Sequence, residues 1–248
     1  MSSIIIGLVT FVCVLGGAVS GMYLRNFLPD HHLKEDSKDA MKAGIAIVAT
    51  LAGLVLGLLI SSAKNSLDST SSTFTQAGAK IIMLDRVLVF YGDQASSIRA
   101  NLRDTVQVMI DRIGNKGKSK GPQKSRGMES ILDQIRTLNP ENASQQQLQN
   151  QALEIGNELL QSRWLVFEQT QITLPSTFLI ILIFWLTILF ISSGLFSPFN
   201  STVIIVMVVC TLSVSSAIFL IDDMSRPFQG MIKVSNTPFI KALERIIK

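Results

Sequence analysis

The sequence predicts an all-α protein: four transmembrane helices, with a helical cytoplasmic domain inserted between helices two and three. Three observations predict it. Only 16% of the 248 residues are charged and the mean hydropathy is +0.40, far from the ~25% charge of an average soluble domain. The apolar residues are gathered into four uncharged blocks. Between the second and third block, apolar residues return at spacings of three and four, which is the helical period.

The blocks run Ile4–Leu24 (21 residues), Gly44–Ala63, Thr173–Ser192 and Thr202–Ile221 (20 residues each). At ~1.5 Å per residue, each helix matches a hydrocarbon layer of roughly 30 Å. Helix is the required form, because lipid offers no partner to a free backbone N–H or C=O. The first block carries a small-residue run, Gly16-Gly17-Ala18-Val19-Ser20-Gly21, that resembles a cleavage site. Met1-Ser2-Ser3 has no Lys or Arg, however, and the block exceeds the roughly 7–15 apolar residues of a signal peptide, so a retained span is expected. Pro175 sits near the start of the third block, where its missing N–H is tolerated.

Orientation follows from the basic residues. The side holding both termini and residues 64–172 carries 13 Lys+Arg in that segment and 5 in 222–248. The opposite side carries only Arg25, Lys34, Lys38 and Lys42. That imbalance places both termini and the insert in the cytoplasm of a multi-pass membrane protein. The expected organisation is residues 1–63 for helices one and two, 64–172 for the cytoplasmic domain, 173–221 for helices three and four, and 222–248 for a cytoplasmic tail. Cys13 and Cys210 fall inside spans as small apolar residues.

Within the insert, four apolar stripes predict amphipathic helices that need partners. They are Phe74, Ala77, Ile81, Leu84 and Leu88; Ile98, Leu102, Val106, Met109 and Ile110; Ile131, Leu132, Ile135 and Leu138; and Leu148, Ala152, Ile155, Leu159 and Phe167. Gly92-Asp93 is a turn signal and Gly114–Gly127 a loop by composition. The loop's Lys116, Lys118, Lys120, Lys124 and Arg126 fit a solvated loop, with anionic lipid headgroups as the functional variant. No aromatic residues interleave them, so no nucleic-acid partner is expected. The Gln-rich stretch Gln145–Gln151 reads as a solvated helix face.

The spans themselves carry few polar signals. Span two has Ala49, Gly53, Gly57 and Ser61 at four-residue intervals, and span one a shorter row, Gly17 and Gly21. Such rows let backbones approach closely. Packing between spans one and two explains them, and so does a pore at an oligomer axis. No span has a charge at its centre, which argues against proton pumps and voltage sensors and leaves a passive pore with an apolar gate. In span four, Thr211, Ser213, Ser215 and Ser216 either bond back to their own helix or wet a water path. Asp222 and Arg226 are spaced for a helix-end ion pair. His31 and His32, adjacent in a loop, make a poor metal site. No nucleotide-binding, hydrolase or zinc-protease motif occurs, so neither enzyme, metal nor cofactor is expected.

The chain resembles the bestrophin-like family of bacterial membrane proteins. The likeness rests on Gly53-Leu54-Val55-Leu56-Gly57-Leu58-Leu59 running into Ser62-Ala63-Lys64, and on Asp222–Ser235 with its R-P-x-x-G-x-I-x-V-S pattern. Thr75-Gln76-Ala77 departs from it, where the family tends to have an acidic residue before Ala. Any role of that acidic position is not transferred. The resemblance implies a relation to the bestrophins, oligomeric chloride channels whose second span lines the pore. By that analogy Ala49, Gly53, Leu56, Gly57, Ile60 and Ser61 would line an axial pore, with Lys64 near its inner mouth. The partners implied are the lipid bilayer, further copies of the chain and inorganic ions. The alternative is a non-conducting membrane scaffold or sensor whose cytoplasmic helices bind a partner.

Overall fold

The computed structural model describes residues 2–25, 35–114, 126–171, 176–228 and 230–247. Among them the regular structure is helical, in chain order α1 (Ser3–Arg25), α2 (Glu35–Tyr91), α3 (Ser96–Gly114), α4 (Arg126–Arg136), α5 (Ala143–Gln171), α6 (Ser176–Phe196), α7 (Ser201–Met224) and α8 (Thr237–Ile247). Four of these, α1, α2, α6 and α7, are long and apolar enough to cross a membrane. The chain divides into two compact units, Met1–Asn65 with Leu174–Ser225, and Ser66–Thr173 with Arg226–Lys248. The C-terminal segment from Arg226 packs within the second unit.

In the first unit α1 packs on α6 and α7. Small residues decide how close it comes. A side chain at Gly21 would strike the Ile191 backbone of α6, and one at Gly194 the Ala18 carbonyl of α1. A Cβ at Gly17 would meet Thr187 Cγ2 at 3.0 Å, and one at Gly7 would meet Phe219 of α7 at 3.1 Å. Lipid tails are as apolar as Leu, so burial gives such helices little reason to associate; close backbone packing supplies it. The row Gly17–Gly21, expected against span two, therefore serves α6. Outward, Ile4, Leu8 and Val12 of α1 and Ile205 and Val209 of α7 are exposed, a surface suited to acyl chains. α6 extends to Phe196, a few residues beyond the Ser192 expected from hydropathy, and Pro175 lies outside the described residues.

The second unit is built around a shared apolar core. Ile81, Leu84 and Leu88 from α2, Ile98, Leu102 and Val106 from α3, Ile131 and Ile135 from α4, and Ala152, Ile155 and Leu159 from α5 are buried together. These are the predicted stripes. α8 adds Phe239, Ala242 and Ile246, at intervals of three and four, and Phe239 meets Phe74 edge-on at 5.1 Å. That amphipathic period was present in the tail sequence, with Pro238 in the first turn where its missing N–H costs nothing. Gly92 breaks α2 from the short 3-10 turn Asp93–Ala95 with φ 111° and ψ −166°, a region open essentially to Gly alone.

The Gln-rich stretch is only partly a solvated face. Gln149 is buried and its amide donates to the carbonyls of Ile135 at 2.8 Å and Leu138 at 3.0 Å, closing the C-terminal end of α4. Asn142 Oδ1 accepts from the Gln145 N–H at 2.8 Å while Gln145 Oε1 accepts from the Glu141 N–H at 2.7 Å. That reciprocal arrangement is close to a capping box at the start of α5.

Candidate functional site

Span two differs from the other apolar helices. Of its most apolar 18-residue window only 6% is buried, against 28% for α1 and α6 and 22% for α7. Ala52 and Ala63 are the buried residues of its 44–63 stretch, and Leu56 and Ile60 beside them are half-buried. Positions 52, 56, 60 and 63 share one helix face. The row Ala49, Gly53, Gly57 and Ser61 lies about 100° round the helix from it and is exposed throughout, as is Lys64. Among the described residues, a Cβ built at Gly53 or Gly57 would meet nothing within 4 Å. Glycines in a helix interior lower its stability by about 1 kcal/mol each relative to Ala, and no close approach among the described residues offsets that loss.

Lys64 starts the polar part of the same exposed surface, and Asp68 follows it by four residues, also exposed. The two charges oppose each other in any field along this part of α2. Leu54 and Leu58, exposed at 61% and 70%, present the bulk that the glycines lack.

Three of the four α7 hydroxyls singled out in the sequence bond back to their own helix. Thr211 Oγ1 donates to the Met207 carbonyl at 2.7 Å, Ser213 Oγ to Val209 at 3.0 Å and Ser216 Oγ to Leu212 at 2.7 Å. Back-bonding of this kind satisfies a hydroxyl in lipid without water. Ser215 Oγ is buried and has no such partner among the described residues. At the end of α7 both Asp222 and Asp223 are buried, and Arg226, just past the helix, is half-buried. His31, His32, Lys116, Lys118, Lys120 and Lys124 lie outside the described residues, and Arg126 opens α4. Among the described residues no three His, Cys, Asp or Glu side chains converge as a metal site would require.

Compared with known protein families, residues 12–239 match the bestrophin-like domain. Neither a curated protein nor a solved structure matches the chain.

Proposed function

This chain belongs to the bestrophin-like family, and from that premise we propose that it is a homo-oligomeric membrane ion channel, passing anions, with α2 lining the pore. It crosses the bacterial inner membrane four times with both termini and the 64–172 domain in the cytoplasm, the arrangement supported by the basic residues of those segments. The observation that carries the proposal is the open glycine face of α2, where a Cβ at Gly53 or Gly57 would meet nothing within 4 Å among the described residues. A helix row shaped for close approach, and unfilled by its own subunit, suits contact with further copies around an axis. Leu56 and Ile60, on the adjoining face, supply the apolar constriction that gates by dewetting. Lys64 draws anions to the inner mouth and Asp68 moderates that field.

Purified protein in planar bilayers should conduct, with chloride carrying more current than sodium. Silence from a correctly assembled oligomer would overturn the reading. Cysteines placed one at a time at Gly53 and Gly57 should crosslink α2 to α2 of another copy. The scaffold alternative requires the same row to pack dry inside one subunit, and would be supported by crosslinks confined to a single chain.

A further inference from the structure

Within the unit formed by Ser66–Thr173 and Arg226–Lys248, the helices do not close completely on one another. A cavity of about 230 Å³ remains, reached by α2, α3, α4, α5 and α8. Its wall is apolar, with Phe74 and Ile81 from α2, Met109 from α3, Met128 from α4 and Phe239 from α8. Three polar residues join the lining: Thr73, Ser162 and Arg163. Thr73 Oγ1 already donates to the Ser69 carbonyl at 3.0 Å and Ser162 Oγ to the Glu158 carbonyl at 2.8 Å. Their protons are committed, and Arg163 is the charged residue of the lining.

Arg163 faces the carboxylate of Glu129 at 4.0 Å, with the Glu129 side chain 52% exposed. The contact is loose beside the 2.8 Å grip of Arg99 on Asp85 in the same unit. A guanidinium has five N–H donors and binds a carboxylate best through two of them. Arg163 can therefore keep its other interactions and exchange Glu129, at a solvated and weak distance, for a better-placed carboxylate. The cavity is smaller than the roughly 300–1,000 Å³ of drug-sized sites, which limits the occupant to one ring or a short chain and excludes a nucleotide or a phospholipid. The two methionines give the wall adaptable shape.

We propose that this cavity binds a small amphiphilic carboxylate, its apolar body seated between Phe74, Met128 and Phe239 and its carboxylate replacing Glu129 on Arg163. Because Phe239 belongs to α8, an occupant touches both the C-terminal helix and α2, and its binding favours the docked tail. The proposal goes beyond conduction and does not depend on it.

The test uses the full chain in phosphatidylcholine nanodiscs, with equilibrium dialysis of 3-phenylpropionate and octanoate and the neutral 3-phenylpropanamide as control. At least one carboxylate should bind saturably below about 10 mM, at least about tenfold more tightly than the amide. Selective binding of octanoate assigns the site to straight-chain fatty acids and selective binding of 3-phenylpropionate to ring acids; either supports the proposal. Arg163→Gln should weaken binding about tenfold or more, and Ala77→Phe, which fills the cavity from α2, should abolish it with helicity retained. Glu129→Gln should tighten binding several-fold, a gain that misfolding cannot imitate. No saturable binding of either acid, or affinities unmoved by Glu129→Gln and Arg163→Gln, would overturn it.

Discussion

Arg99 of α3 grips Asp85 of α2 through two contacts, Nε to Oδ1 at 2.8 Å and Nη2 to Oδ2 at 3.3 Å. The Asp85 side chain is 5% exposed and that of Arg99 26%, so the carboxylate depends on this cation while the guanidinium still reaches water. Removing the cation alone should be the costly change. Arg99→Met is expected to lower stability by about 2–4 kcal/mol, and adding Asp85→Leu to recover much of that loss. Denaturant unfolding of both variants checks it; a single Arg99→Met within about 0.5 kcal/mol of the parent would show that Asp85 has other support.

Tyr91, at the end of α2, is buried with a hydroxyl that has no hydrogen-bond partner among the described residues. Burial, and then the charge of Glu141, push its pKa above the usual 10.0. The folded state therefore holds the proton more tightly than the unfolded chain, and stability from this group falls as pH rises above about 10. Tyr91→Phe should be neutral to about 1 kcal/mol stabilising at pH 7, and should lose less on going to high pH. Melting temperatures of both proteins at neutral and alkaline pH decide this; a Phe variant clearly less stable at neutral pH would show that the hydroxyl is bonded.

Much of the second unit was legible in the sequence because each of its helices has one apolar face and one polar face. Phe74, Ile81, Leu84 and Leu88 are apolar at helical spacing and are buried together. The membrane helices gave no such guidance about partners. Gly17 and Gly21 mark a close approach, yet lipid and protein are equally apolar, so nothing in the pattern tells α6 from α2 as the neighbour. α8 carried a readable signal in Phe239, Ala242 and Ile246 behind Pro238, weakened by its shortness. The cavity at Arg163 was not legible at all, since a void arises from how five helices meet and leaves no mark on any one of them.

Gln149 was equally hidden, because a glutamine among glutamines on a helix looks solvated until the carbonyls opposite it are placed. Its amide serves Ile135 and Leu138 together. Gln149→Leu should leave both carbonyls without this donor and lower stability by about 2 kcal/mol. The exposed Gln147→Ala should stay within about 0.5 kcal/mol. Equal effects from the two changes would mean that α4 ends without help from α5.

The sharpest contrast lies between two glycines in the apolar helices. Gly21 is held against the Ile191 backbone of α6, whereas Gly53 faces open space. Gly21→Val must therefore separate α1 from α6, and should lower the melting temperature of the detergent-solubilised subunit by several degrees, equivalent to about 2 kcal/mol or more. Gly53→Val has no neighbour among the described residues to displace, so the subunit's secondary structure and protease resistance should be unchanged. Its effect should appear only in assembly, as a smaller or looser oligomer, and in bilayers, as altered conductance. If Gly53→Val instead destabilised the isolated subunit as much as Gly21→Val, the α2 row would be an internal contact, and a pore built on that face would lose its physical basis.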